Sequence, residues 1–196
     1  MTARRTQAER REQSMARLEE AALQALVDGG PAGATVQAIC ARAGLSQGAL
    51  YQHYGSRAEV LTAAVGRLYD RLLAEALEEL DAPGAALPRA VGVVWRSFHR
   101  VDVAATLALY ACSRTEPELR AVLSPMLQAF ADRLGAAALA HLPDPSPDAV
   151  SALVLLFASC QSFATSAAVE GAPVPGVEQH LDLLARLLTS PTPETP

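Results

Sequence analysis

Thr35-Val36-Gln37-Ala38-Ile39-Cys40-Ala41-Arg42-Ala43-Gly44-Leu45-Ser46-Gln47-Gly48-Ala49-Leu50-Tyr51-Gln52-His53-Tyr54 reads as two short helices joined by a turn. Thr35 suits the cap of a helix over 36–43, because its hydroxyl accepts a first-turn amide that has no partner within the helix. Val36, Ile39 and Cys40 then share one face. Gly44 stops this helix, Ser46 caps the next, and the second runs to about Tyr54 before Gly55 ends it. Such a pair matches the helix-turn-helix plan, whose second helix enters the major groove of DNA.

Any two short helices around a glycine share that outline, so the surface chemistry of the second helix carries the reading further. Gln47, Gly48, Ala49, Tyr51, Gln52 and His53 set amide, phenol and imidazole groups beside two positions with almost no side chain, which lets a helix sit deep in a groove. Gln47 and Gln52 are suited to base edges; Tyr51, His53 and Arg57 are suited to phosphate oxygens, and Ser46 joins the contacting group. Core packing is the alternative for Tyr51 and Tyr54, more so for Tyr54, and an exposed or capping role is the alternative for His53.

Working outward, Thr35-Val36-x-x-Ile39-x-x-x-Ala43-Gly44-Leu45-Ser46-x-Gly48-x-Leu50-Tyr51-x-His53-Tyr54-x-Ser56-Arg57-x-x-x-Leu61 resembles the signature of the TetR (tetracycline repressor) family over about residues 17–64. The resemblance implies nine or so helices, three for DNA and the rest for dimerisation and an inducer cavity. It also implies DNA contact by Thr35, Gln47, Gly48, Ala49, Tyr51, His53 and Arg57. Tyr54, Arg57 and Cys40 stand where the family usually has phenylalanine, lysine and alanine; the last change leaves a thiol role open.

Charge supports a division of labour. Through Arg57 there are seven arginines against five acids, and beyond it nine against sixteen, so +2 and -7 make up the net charge of -5. Only the N-terminal part is thereby expected to approach a polyanion. Arg4 and Arg5 read either as an arm toward phosphate or the minor groove, or as solubilising charge. Hydrophobic residues at 51% and charged residues at 19% place the chain among globular proteins. Apolar runs fall short of the roughly 20 residues that span a bilayer, the longest, 149–160, being interrupted by Ser151 and Ser159, and no secretory leader is legible, so no membrane partner and a cytoplasmic location are expected. Cys40, Cys112 and Cys160 are too widely spaced for a zinc site or a disulfide framework and read as small buried residues. No metal or cofactor is expected.

Helix signals recur along the rest of the chain and alternating strand patterns do not, which predicts an all-α fold. Thr6-Gln7-Ala8-Glu9 forms a capping box before a helix with Leu18, Ala22, Ala25 and Leu26 at helical spacing, ended by Asp28-Gly29-Gly30-Pro31. Ser56-Arg57-Ala58-Glu59 is a second box before an amphipathic helix to about Leu80, long enough to link two domains. Further helices are expected from Pro88, over 101–113, from about Thr115 with a bend or split at Pro125, over 148–169 and over 177–188. This divides the chain into a DNA-binding domain (1–55), a ligand-binding and dimerisation domain (56–190) and a disordered tail (191–196).

Gly44-Leu45-Ser46-Gln47-Gly48 also satisfies G-x-S-x-G, the hydrolase nucleophile elbow. That motif needs a strand before the serine, and the residues before Ser46 read as helix, so no enzyme is expected. The apolar surface beyond residue 91 exceeds what a small core needs. The helices over 148–169 and 177–188 are assigned, as the resemblance implies, to a homodimer interface. A cavity is expected among Trp95, Phe98, His99, Tyr110, Met126, Phe130, Phe157, Gln161 and Phe163, each of which alternatively packs in the core. The resulting expectation is a repressor that binds a palindromic operator in double-stranded DNA as a homodimer and is released by a small hydrophobic or aromatic inducer. The alternative is a ligand-binding or thiol-sensing helical protein with weak or lost DNA binding.

Overall fold

A computed structural model describes residues 6–81, 92, 95–98, 100–141, 147–170, 175–177, 179–180 and 182–183. Arg4, Arg5, Pro88, His99, most of the 143–147 loop, residues 184–188 of the expected last helix and the tail lie outside them. All regular structure among the described residues is helical, as the pattern predicts. The helices are α1 (Gln7–Gly33), α2 (Val36–Ala43), α3 (Gln47–His53), α4 (Arg57–Asp81), α5 (Val101–Ser113), α6 (Pro117–His141) and α7 (Pro147–Glu170). Residues 95–98 are helical as well, as are 177, 179–180 and 182–183.

Helix ends follow the chemistry of their caps. Thr6 N donates to the Glu9 carboxylate at 2.7 Å while Glu9 N donates to Thr6 Oγ1 at 3.2 Å, a closed capping box. Gly30, at φ +61°, interrupts α1 and sets Pro31 to Gly33 off as a separate last turn. The second box closes only in part. Glu59 N donates to Ser56 Oγ at 3.2 Å, but the Glu59 carboxylate accepts the N–H of Gly55 at 2.8 Å, one residue earlier than the motif asks, and so satisfies the turn between α3 and α4. Nor does α6 split at Pro125: Pro125 and Ala121, whose carbonyl the proline leaves without its helical donor, are both exposed, so that carbonyl is open to solvent.

Two compact units are distinguishable. The first contains residues 1–69 and 105–128, the second 70–104 and 129–196. In the first unit Leu18, Leu26, Ile39, Leu50, Leu61, Val65 and Leu68 are essentially removed from solvent. Burying one such side chain stabilises by roughly 1.5–3 kcal/mol, so this apolar set holds α1 to α4 as a body that can carry a precise surface. In the second unit Phe98, Phe130, Leu156 and Cys160 are buried.

Candidate nucleic-acid interface

The geometry of α3 begins with its two anchors. Leu50 is the one buried residue within the helix, and Tyr54, its C-cap in extended conformation, is buried one turn further on. With 100° per residue, Gln47, Tyr51, Gly48 and Gln52 span an arc of about 140° that begins about 60° from Leu50. All four are exposed, and Tyr51 keeps 52% of its surface. Ala49 and His53 are half-buried and lie beyond Gln52, outside the arc. No acid lies on it, so a polyanion meets only neutral donors and acceptors there.

Ser46 caps α3 by accepting the N–H of Ala49 at 3.1 Å, as Thr35 caps α2 by accepting that of Ala38 at 3.1 Å. Both residues are exposed. The residues before Ser46 form α2, not a strand, which disposes of the hydrolase elbow. Gly44 makes the turn at φ +61°, ψ +39°, its N–H directed to the carbonyls of Cys40 and Ala41, while Leu45 N reaches Cys40 O at 3.1 Å. Arg17, from α1, donates to the Ala43 carbonyl, placing a cation at the negative end of α2.

Glu19 is the other tie, and pattern reading missed it. Its carboxylate accepts from the Tyr54 hydroxyl at 2.6 Å and from Arg67 at 2.8 Å, linking α1, the end of α3 and α4. Burial and the adjacent carboxylate push the Tyr54 phenol well above its ordinary range, so it stays a donor. The position where the family usually has phenylalanine therefore carries a polar tie here. Arg42 is paired with Asp28, whose carboxyl is held below its ordinary value by hydrogen bonds from Arg42 and Gln24.

Arg57 lies apart from the exposed arc. Its Nε donates to the carbonyl of Ala34 at 2.8 Å, Nη2 donates to that of Pro31, and Nη1 lies 3.4 Å from the Glu116 carboxylate. The guanidinium is thus turned to the protein, and no periodicity in the sequence marks Glu116 as its partner.

The ligand candidates separate between the units. In the first, Tyr110 shares hydrogen bonds with Tyr69, whose hydroxyl also meets Thr106 Oγ1 at 2.9 Å; Tyr69 and Thr106 are buried. Met126 packs over Gly66, where a Cβ would stand 3.5 Å from Met126 Cγ. In the second unit Trp95 and Phe163 meet edge to face at 6.2 Å, Phe98 and Phe157 at 5.0 Å, and Phe163 and His180 at 5.1 Å. Phe130 is buried with the Arg133 guanidinium 5.8 Å from its ring centroid, and Gln161 is half-buried. His180 also lies 3.2 Å from Ser159 Oγ. Of the thiols, Cys40 and Cys160 are buried and Cys112 is half-buried. Among the described residues no helix is long and apolar enough to cross a membrane, and no cluster of metal-ligating side chains occurs.

An all-helical chain whose second and third helices form a capped, glycine-jointed pair with a bare polar face defines a helix-turn-helix DNA-binding protein. Residues 18–64 match the model of the bacterial regulatory proteins of the tetR family. Over 191 residues, 95% of this chain and 98% of theirs, it is 29% identical to uncharacterized HTH-type transcriptional regulators of Mycobacterium tuberculosis and Mycobacterium bovis. A transcriptional regulator from Rhodococcus sp. Rha1 superposes with a TM-score of 0.68 at 26% identity, over 89% of this chain and 95% of that one. The multidrug binding protein EbrR, complexed with imidazole, has the same fold, with a TM-score of 0.66 at 22% identity over 92% and 98% of the two chains. Residues 18–64 thus carry the DNA-binding segment of the TetR family, and the chain along its length is similar to helix-turn-helix transcriptional regulators.

Proposed function

We propose that the protein is a repressor that binds a palindromic operator as a homodimer and leaves it when a small hydrophobic or aromatic inducer binds. The observation that carries the reading is the α3 arc: Gln47, Gly48, Tyr51 and Gln52 exposed and free of acids on a helix anchored by buried Leu50 and Tyr54. In this assignment residues 1–55 are the reading domain and 56–190 bind ligand and dimerise. Gln47 and Gln52 face base edges, Gly48 and Ala49 let the helix approach closely, and Thr35, Ser46, Tyr51 and His53 face phosphates. The hydroxyls of Thr35 and Ser46 accept from their own helices and direct their hydrogens to a phosphate oxygen.

Two such helices read one operator when they stand roughly 34–36 Å apart, one turn of DNA. A ligand that prefers a different spacing lowers operator affinity by its differential affinity for the two states. The aromatic contacts of Trp95, Phe98, Phe157 and Phe163 suit an apolar inducer, and EbrR, a chain of the same fold, was crystallised with imidazole and with proflavin.

The test is a binding titration against the DNA upstream of the protein's own coding region at several salt concentrations. Tyr51→Ala is expected to weaken binding without altering thermal unfolding, and Gln47→Ala to change base preference more than salt dependence. Unchanged affinity on replacing Tyr51 removes it from the contact set. Absence of binding by the wild-type protein at low salt leaves only the ligand-binding alternative.

A further inference from the structure

The surroundings of Arg57 fit a role other than phosphate contact. Its guanidinium offers five N–H donors in a rigid fork, and three of its nitrogens already have acceptors on two other parts of the chain. Two of these are the carbonyls of Pro31 and Ala34, in the last turn of α1 set off by Gly30 and at its C-cap, which leads directly into the Thr35 cap of α2. Ala34 is wholly buried, so its carbonyl has little other recourse. The third is Glu116, in the turn between α5 and α6. That turn is well tied: the amides of Thr115 and Glu116 both donate to Cys112 O, at 3.0 and 3.1 Å, and Pro117 then opens α6.

The Arg57 and Glu116 side chains keep 28% and 44% of their surface, so their ion pair adds little to folding stability. Its significance is positional, because it joins the α1–α2 junction that carries the reading pair to the α5–α6 turn. We propose that Arg57 is a positioning residue, not a phosphate contact, and that its bond to Glu116 transmits the position of the α5–α6 turn to α2 and α3. Lysine cannot serve the same purpose, since one ammonium does not span three separated acceptors.

The proposal rests on the DNA-binding reading, and the experiment separates the two. Operator affinity of the full-length protein is measured across a potassium chloride series for wild type, Arg57→Lys, Arg57→Gln, Glu116→Gln and the Arg57→Gln/Glu116→Gln double variant. Arg57→Gln and Arg57→Lys should both weaken binding with the salt slope unchanged. Glu116→Gln alone should weaken it about two- to fivefold and should add nothing in the Arg57→Gln background. A slope reduced by about one in Arg57→Gln and restored in Arg57→Lys is the signature of a phosphate contact, and overturns the proposal. So does a Glu116→Gln effect of full size in the Arg57→Gln background. Hydrogen exchange on the DNA-free protein gives a reading that needs no operator: Glu116→Gln should speed exchange of the amides over 34–40, and unchanged exchange there sinks the proposal even if DNA binding stands or fails.

Discussion

At the scale of the residue, Gly44 shows how one torsion sets a surface. Its φ of +61° lies in the left-handed region, and a Cβ there would stand 3.0 Å from the Arg17 nitrogen that holds the Ala43 carbonyl. Gly44→Ala is expected to destabilise the protein by about 1–2 kcal/mol, the order of the left-handed penalty for an L-residue, readable in urea unfolding. A loss below a few tenths would mean the turn relaxes. Cys160 supplies a second case. Burial pushes its thiol up to about 12, so the nucleophilic thiolate is scarce at neutral pH. Iodoacetamide at pH 7.5 should leave Cys160 unmodified in the folded protein and alkylate it once urea unfolds the chain. Modification in the absence of urea would make Cys160 a sensor candidate, whereas half-buried Cys112 is the expected first target of an oxidant.

At the scale of the element, α4 is held differently along its length. Over its first turns Ala58, Val60, Leu61, Ala64, Val65, Leu68 and Tyr69 are buried. Beyond them Leu72, Leu73, Ala76 and Leu77 are half-buried, and ion pairs join Asp70 with Arg133 at 2.6 Å, Glu75 with Arg100 at 3.3 Å, Glu79 with Arg96 at 2.8 Å and Asp81 with His141 at 3.1 Å. These pairs are largely exposed and screened by salt, so each adds little to stability. His141 adds a dependence on pH. Its Nδ1 lies 2.8 Å from Ala137 O and its Nε2 faces the Asp81 carboxylate, so both ring nitrogens meet acceptors and both must donate. The Ala137 carbonyl, then Asp81, raise its pKa above the unfolded value of about 6.5. A raised folded value means the contribution is complete below the unfolded pKa and is lost as pH climbs through the folded one. His141→Ala should therefore lower Tm relative to wild type at pH 5.5, and the gap should close by pH 8.5. A gap that widens with pH would show that the ring acts as neutral packing.

At the scale of the whole molecule, the proposed homodimer requires a surface on which a second copy docks. Val154 and Leu155 on α7 keep 64% and 58% of their surface, and Leu183 in the following helical residues keeps 48%. Large aliphatic side chains left this open mark a surface that association would cover, and an isologous dimer would present the same patch twice. Leu155→Glu should convert the protein to monomers in sedimentation velocity and weaken operator binding with it. A variant that stays dimeric would move the interface elsewhere.

The all-helical class, the α2–turn–α3 pair and most caps were legible in the chain itself because each is a local matter. A hydroxyl at the first turn, a glycine at the last and apolar residues three and four apart act within a few residues of one another, and Thr6, Thr35, Gly44 and Ser46 do what their neighbours ask of them. Tyr51 and Tyr54, three residues apart, would share a helical face; Tyr54 is buried because the chain leaves the helix there in extended conformation and its hydroxyl reaches Glu19. Side chains that reach across the fold were not legible. Arg57 and Glu116 are 59 residues apart, Glu19 and Tyr54 are 35 apart, and the Ser56 box shifted to Gly55 because a carboxylate takes whichever amide stands within reach. Long polar side chains choose partners by distance in space, and that distance exists only once the helices have packed.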